Sequence, residues 1–430
     1  MVRLKNTPTY SKLAMYAGLS YFLLAPIPQF RVQIGFLPVI PLLGIAAFLC
    51  WLFDGRRHIP RVYTSKHWTA SLLALGFSIL LGYLLADAYV RPSINQKLMA
   101  FAVPVLLISV LPRDTNVLMR HWKVWTLGIC LLALLQIKAG ILDPTGAGAE
   151  HQFSTSRFIH NTGDIALTQQ FGIANAYGYM VMAICAGGCL SMLATANRSR
   201  FQKLLICALF VLSAAVVTGT YMAAAIVLVI SLAVSTAIIF NKRNLRRNIF
   251  WPASFLLAIA FMISLLSQFD YTDIVLQRIT RLRLDGLSGD QSTEIRWELV
   301  MVSLNTFASS PFWGVGLQGW EFDYETIIGG HSSIVDVPAQ LGIIGFVAYY
   351  GLFVPVMLRS WSIWKAKGSG RLPHHAVVAG GLASLLACSI LNPAFMMQLV
   401  NETMLLLVAL GLSHSDVLMK RGNFSRARHA

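Results

Sequence analysis

The chain has 430 residues, 56% of them hydrophobic and 12% charged, and carries a net charge of +16. So large an apolar share cannot be hidden beneath the solvated skin of a water-soluble globule, which excludes a string of soluble domains and leaves an integral membrane protein. The positive charge invites nucleic acid as a partner, but where the charges fall excludes that reading.

Apolar windows of about 18–22 residues, the length that a ~30 Å hydrocarbon layer requires, occur in chain order at 13–28, 33–53, 69–90, 96–112, 124–142 and 171–195. They continue at 204–219, 221–240, 249–268, 338–358, 374–392 and 395–413. The run 204–240 is too long for one crossing and carries "TGTY" at its midpoint, so it divides there. The expected fold is an all-α polytopic membrane protein, a single integral domain over 1–430 with twelve transmembrane helices.

Of the 34 lysines and arginines, 25 lie at the two termini and in alternate connections, among them Arg56, Arg57, Arg61, Lys66, Lys242, Arg243, Arg246 and Arg247. This positive-inside pattern places both termini in the cytoplasm, and the basicity reports topology rather than affinity for nucleic acid. The first span follows a basic start, but "LLAPIPQF" offers no small-x-small cleavage site, so it reads as a retained anchor. All six cysteines (Cys50, Cys130, Cys185, Cys189, Cys207 and Cys388) fall inside predicted spans and read as packing residues, with no disulfide or metal framework.

Two outward connections exceed a handful of residues, 143–170 and 269–337. The second is a large outer helical loop between spans nine and ten. It holds ten of the eighteen acidic residues and four arginines on the side where basic residues are rare: Arg278, Arg281, Arg283 and Arg296. Within it, "YTDIVLQRITRLRL" has helical apolar spacing, with Arg278 and Arg281 one turn apart. "DGLSGDQS" supplies turn chemistry and N-caps for a second helix, "TEIRWELVMVSLNTFAS", which ends at Ser310 and Pro311. "PFWGVGLQGW" then reads as a compact loop in which glycines allow close backbone approach. Trp313 and Trp320 fit an outer interfacial aromatic belt, and Trp320 is also a candidate substrate contact.

The arginines offer planar forks suited to phosphate oxygens; the competing use is pairing with Asp285, Asp290, Glu294 or Glu298. His331, in "GGHSSIVDVPAQLGIIGF", stands with His151 and His160 as the outer histidines, and an imidazole with a pKa near ~6.5 is the commonest general base. Ser332, Ser333 and Asp336 are available to orient its ring, although helical spacing sets Asp336 off the histidine's face, against a protease-like triad. Neither a zinc-protease motif, a phosphate-binding glycine loop nor a paired-cysteine motif is present, which disfavours metal and nucleotide chemistry. Asn401 and Glu402 lie inside the last span, where a carboxylate is costly unless protonated, paired or facing a cavity; Glu402 is the most transporter-like residue.

"EIRWELVMVSLNTFASSPFWGVGLQGW" followed by "GGHSSIVDVPAQLGIIGF" resembles the O-antigen ligase and O-antigen polymerase superfamily. Its members share an arginine-led helix ending in P-x-x-G-x-G, a His-Asn or His-Ser pair, and a span opening G-I-x-G. "FGIANAYGYM" is similar to the superfamily's earlier G-x-x-x-N-x-x-G element and puts Asn175 at the outer mouth of the sixth span. The resemblance implies a metal-independent, cofactor-free inverting glycosyltransferase in the bacterial cytoplasmic membrane, with its active site on the periplasmic face. Its donor would be an oligosaccharide on undecaprenyl diphosphate, with membrane lipid around the chain and, for a polymerase, a chain-length regulator as partner.

By matching position, Arg296 would bind the diphosphate, and His331 would contact the donor or act as base on the acceptor hydroxyl. Where the superfamily reads T-G-S-R, this chain has "TGTY", so Tyr221 stands in the place of an arginine that helps to bind the diphosphate; Arg278, Arg281 or the weaker candidate Arg157 would compensate. Three functions stay open. They are polymerisation of O-antigen or exopolysaccharide repeat units, which the N-A-Y-G and "HSS" forms favour; ligation of the finished glycan to lipid A core; and, from another class, transport of a lipid-linked sugar.

Overall fold

A computed structural model describes residues 9–25, 33–34, 37–53, 65–85, 102, 105–106, 115–142, 291–316, 320–322, 325–327, 332–367, 373–391, 395 and 398–413. Eight helices are found there: α1 (Thr9–Leu24), α2 (Val39–Leu52), α3 (Lys66–Leu85), α4 (Thr115–Leu142), α5 (Gln291–Ser309), α6 (Ser333–Lys367), α7 (Pro373–Leu391) and α8 (Gln398–Ser413). Seven of them overlap apolar windows read from the sequence, and α5 is the second helix expected in the long loop. The windows 171–195, 204–219, 221–240 and 249–268, and most of 96–112, lie outside the described residues.

Two small antiparallel hairpins depart from a purely helical reading. β1 (Gln33–Ile34) pairs with β2 (Leu37–Pro38), and β3 (Trp320–Phe322) pairs with β4 (Glu325–Ile327) in the register Trp320↔Ile327, Glu321↔Thr326, Phe322↔Glu325. The first shortens the expected span 33–53, because Pro38 lacks the amide hydrogen that a helix interior needs and α2 starts only after it. The second occupies part of what reads in sequence as irregular loop.

Among the described residues the stretches Lys66–Leu84 and Ser333–Lys365 are long and apolar enough to cross a membrane, and Met15–Leu24, His374–Ile390 and Val400–Ser413 are shorter apolar helices. α3 shows how such a helix divides its faces. Trp68, Leu75 and Ile79 are buried, whereas Leu73, Phe77, Leu80 and Leu84 form an exposed apolar stripe at helical spacing, the arrangement that lipid rather than water accommodates.

The core is built around α8, every residue of which from Val400 to Ser413 is buried. It packs against α4, α6 and α7, while α1 packs on α2 and α4, and α3 lies along α6. Glycines let these helices approach: Gly381 meets Leu407, Gly411 meets Val356 and Val378, and Gly351 faces Ser71 across the α3–α6 contact. Polar side chains add cross-links where lipid offers no competing water. Trp125 Nε1 donates to Thr403 Oγ1 at 3.0 Å, and the Thr115 and Ser413 hydroxyls lie 3.1 Å apart.

The deepest of these links answers the question that Glu402 raises in the sequence. The carboxylate accepts a hydrogen bond from the Tyr21 hydroxyl, which ties α1 to α8. Phe22 packs edge-on against Tyr21, His121 and Trp125 beside it. Tyr21→Phe removes the donor and leaves a buried acceptor underserved. We expect a stability loss of about 1–3 kcal/mol, read as a lower thermal midpoint in lipid nanodiscs, with partial recovery when Glu402→Gln is added, since a neutral amide is less costly to leave.

Candidate functional site

The specific part of the sequence motif lies on α5, the segment after it and the start of α6. Between Glu298 and Ser309 only Leu299 and Ser303, one turn apart, are buried on α5; Glu298, Met301, Val302, Leu304 and Asn305 are exposed. α5 thus presents a narrow stripe to α6, against which it packs. Its C-terminus is closed locally. Ser309 Oγ donates to Thr306 O, the Ser310 amide reaches both Thr306 O and Phe307 O, and Pro311 prevents continuation. Ser310 then clasps Gly314 twice, accepting from the Gly314 amide at 2.9 Å and donating from its hydroxyl to Gly314 O at 2.8 Å.

α6 is a helix with a deliberate break. Gly342 has φ 66° and ψ −175°, a conformation open essentially to glycine alone, so the first turns of α6 stop there and the long helix resumes after it. In an unbroken helix Ile343 would donate to Ala339 O, and Ile344 to Gln340 O. Instead the P-x-x-G-x-G segment supplies the replacements: Val315 donates to Ala339 O and Gly316 to Gln340 O, both at 3.0 Å, while the Ile343 amide donates to Pro311 O at 2.9 Å. The break and the segment exchange hydrogen bonds, and the segment satisfies the carbonyls of Ala339 and Gln340 and the amide of Ile343.

The two glycines at this joint are close-approach residues as well as conformational ones. A Cβ on Gly342 would run into the backbone of Phe312 and Trp313, and one on Gly314, which has φ 72°, into the backbone of Gln340 and Leu341. The motif P-x-x-G-x-G and the motif G-I-x-G are therefore two halves of one interlock.

The polar residues after His331 are engaged in holding this region. The Asp336 carboxylate is buried; Oδ2 accepts from the Ser332 amide at 3.1 Å and Oδ1 accepts from Ser303 Oγ of α5 at 3.0 Å. Ser332 Oγ donates to Ile390 O at 2.6 Å, and Ser333 Oγ accepts from the Phe395 amide at 2.9 Å, so both serines anchor the connection between α7 and α8. Tyr350 donates to Ser389 at 3.2 Å beneath them. The serines and the aspartate thus pin the backbone that follows His331.

The sequence candidates are distributed unevenly over the described residues. Arg296 lies on α5, at the helical register two turns before Ser303, and Trp320 opens β3. His331 immediately precedes Ser332 but lies, with Arg157, Asn175, Tyr221, Arg278 and Arg281, outside the described residues. Trp313 is half-exposed and sets its ring against Phe77 of α3, 6.3 Å between centroids, while Phe312 is more exposed still. Sequence reasoning passed over Ser303, the one hydroxyl-bearing residue buried between Glu298 and Ser309.

An exposed apolar stripe on α3, a buried last helix and helices long and apolar enough to cross a membrane together fit the class of helical membrane proteins. Residues 207–350 match the family model of O-Antigen ligase, which supports the O-antigen ligase and polymerase superfamily and spans both halves of the interlock. That family comprises membrane-integral enzymes that transfer a lipid-linked glycan. No curated protein matches the chain.

Proposed function

We propose that this protein is a metal-independent inverting glycosyltransferase that polymerises O-antigen or exopolysaccharide repeat units on the periplasmic face of the bacterial cytoplasmic membrane. In this reading the chain crosses the membrane twelve times with both termini in the cytoplasm, and the 269–337 loop lies outside. The donor is a glycan on undecaprenyl diphosphate, already a good leaving group. Arg296 stabilises the departing diphosphate with a bidentate fork, and His331 takes the proton from the attacking hydroxyl of the acceptor unit. Arg278, Arg281 and Arg157 supply the charge that Tyr221 does not, and Asn175 and Trp320 contact the glycan. A chain-length regulator is the expected protein partner.

The observation that carries this reading is the interlock between the segment that follows the Arg296-bearing helix and the break in α6, the helix whose first turns follow His331. Fixing two groups on separate elements by main-chain bonds is what catalysis by positioning demands. The pairing of Glu402 with Tyr21 weighs against transport, because the one acid deep in the last span serves packing. Ligation to lipid A core is the second reading, favoured by the description of the matching family model.

Deleting the gene and displaying both the surface glycan and its lipid-linked intermediates on gels tests all three. A polymerase deletion leaves single repeat units on the cell surface. Long chains stranded on undecaprenyl diphosphate would instead establish the ligase, and units that never reach the outer face would establish the transporter.

A further inference from the structure

We infer that Asp336 is a positioning residue for the transfer reaction, acting together with Ser303 through the backbone of His331's neighbour; this rests on the reading of His331 as the catalytic base. The geometry is a bridge of three residues. One carboxylate oxygen of Asp336 takes the Ser332 amide, which is joined by a single residue step to His331, and the other takes the hydroxyl of Ser303, two turns beyond Arg296 on α5. Asp336 also donates its own amide to Ser332 O at 2.9 Å, so Ser332 is gripped on both its N–H and its C=O by the same residue.

The bridge has features of a device rather than of generic packing. Asp336, Ser303 and Ser332 are all buried, so the hydrogen bonds are made where water does not compete. Ser303 is one of only two buried positions between Glu298 and Ser309, which makes it the polar contact through which that part of α5 meets the turn. The interlock at Gly342 sets the far end of the first turns of α6, and the Asp336 bridge sets their near end. A short segment fixed at both ends sets the backbone that follows His331 at a constant place relative to α5. Catalysis by positioned groups is sensitive at this scale, where misplacement by about 1 Å costs on the order of 10²-fold in rate.

The test is an elongation assay with lipid-linked repeat units in proteoliposomes, applied to Asp336→Ala, Asp336→Asn and Ser303→Ala. Folded protein is counted in each preparation by size-exclusion fluorescence. Asparagine can still accept from the Ser332 amide through its oxygen and donate to Ser303 through its nitrogen, so it keeps the bridge without the charge. We expect Asp336→Ala to lower kcat by about 10–100-fold per folded molecule with KM for the donor little changed, Ser303→Ala to lower it by about 3–10-fold, and Asp336→Asn to recover most of the loss.

In a His331→Ala background, Asp336→Ala should add nothing further, since a residue acting through His331 has no effect once that side chain is gone. Equal losses in Asp336→Asn and Asp336→Ala would overturn the proposal by making the charge the essential property. A full additional loss in the His331→Ala background would overturn it as well. Undiminished activity of His331→Ala alone would instead sink the reading on which it rests, and so tells the two failures apart.

Discussion

Gly342→Ala is expected to remove glycan transfer and to lower stability by at least ~3 kcal/mol, whereas Gly76→Ala on α3 should be neutral or mildly stabilising. The contrast follows from what each new methyl group meets. Gly76 has open space beside it, and alanine there gains helix propensity. Gly342 sits at φ 66°, and its Cβ would collide with the main chain of Phe312 and Trp313, which cannot rotate away as a side chain would. Relief requires that the segment withdraw, which forfeits three exchanged hydrogen bonds and orphans the carbonyls of Ala339 and Gln340. Gly314→Ala attacks the same interface from the other side and should behave alike. Gly381→Ala on α7 is the internal control for a tight glycine, because the nearest atoms it meets are the terminal carbons of the Leu407 side chain, which can move aside. Thermal midpoints in nanodiscs with chain-length profiles from complemented deletion cells provide the check. Wild-type stability in Gly342→Ala would refute the interlock.

His331→Ala and Arg296→Ala are expected to cost about 10²–10⁴-fold in transfer rate with folded protein unchanged, the range for a lost general base or a lost charge stabiliser. Arg296→Lys separates the two ways an arginine can serve. A lysine keeps the charge and loses the planar fork, so substantial recovery would mean that charge alone suffices, whereas a loss close to that of alanine would point to bidentate recognition of the diphosphate. Normal glycan lengths in both alanine variants would eliminate the proposed roles.

Hydropathy and end signals made most of the helical scaffold legible. Strong apolar windows marked the regions of α1–α4 and α6–α8, and Ser310 with Pro311 marked the end of α5. What the sequence hid was long-range or conformational. Gly342 lies in an apolar run and looks like any small residue of a membrane helix, since nothing local says that the hydrogen bonds it gives up are replaced from Pro311, Val315 and Gly316. Asp336 was judged by its spacing from His331, but its partners are the Ser332 backbone and a serine 33 residues earlier. The β3–β4 hairpin does leave a local trace: "WEFDYE" alternates aromatic with acidic residues, a period of two. The family resemblance singled out Arg296 and His331; Ser303 and Asp336 needed the packing of α5 on α6.

The joint between the P-x-x-G-x-G segment and the broken helix uses main-chain atoms on both sides, so the side chains of Phe312 and Trp313 take no part in its hydrogen bonds. Phe312 and Trp313 project outward from a fixed backbone. A protein built this way can change the residues it shows to its surroundings while its backbone frame stays the same, so divergence on that face need not be bought with loss of the frame's geometry.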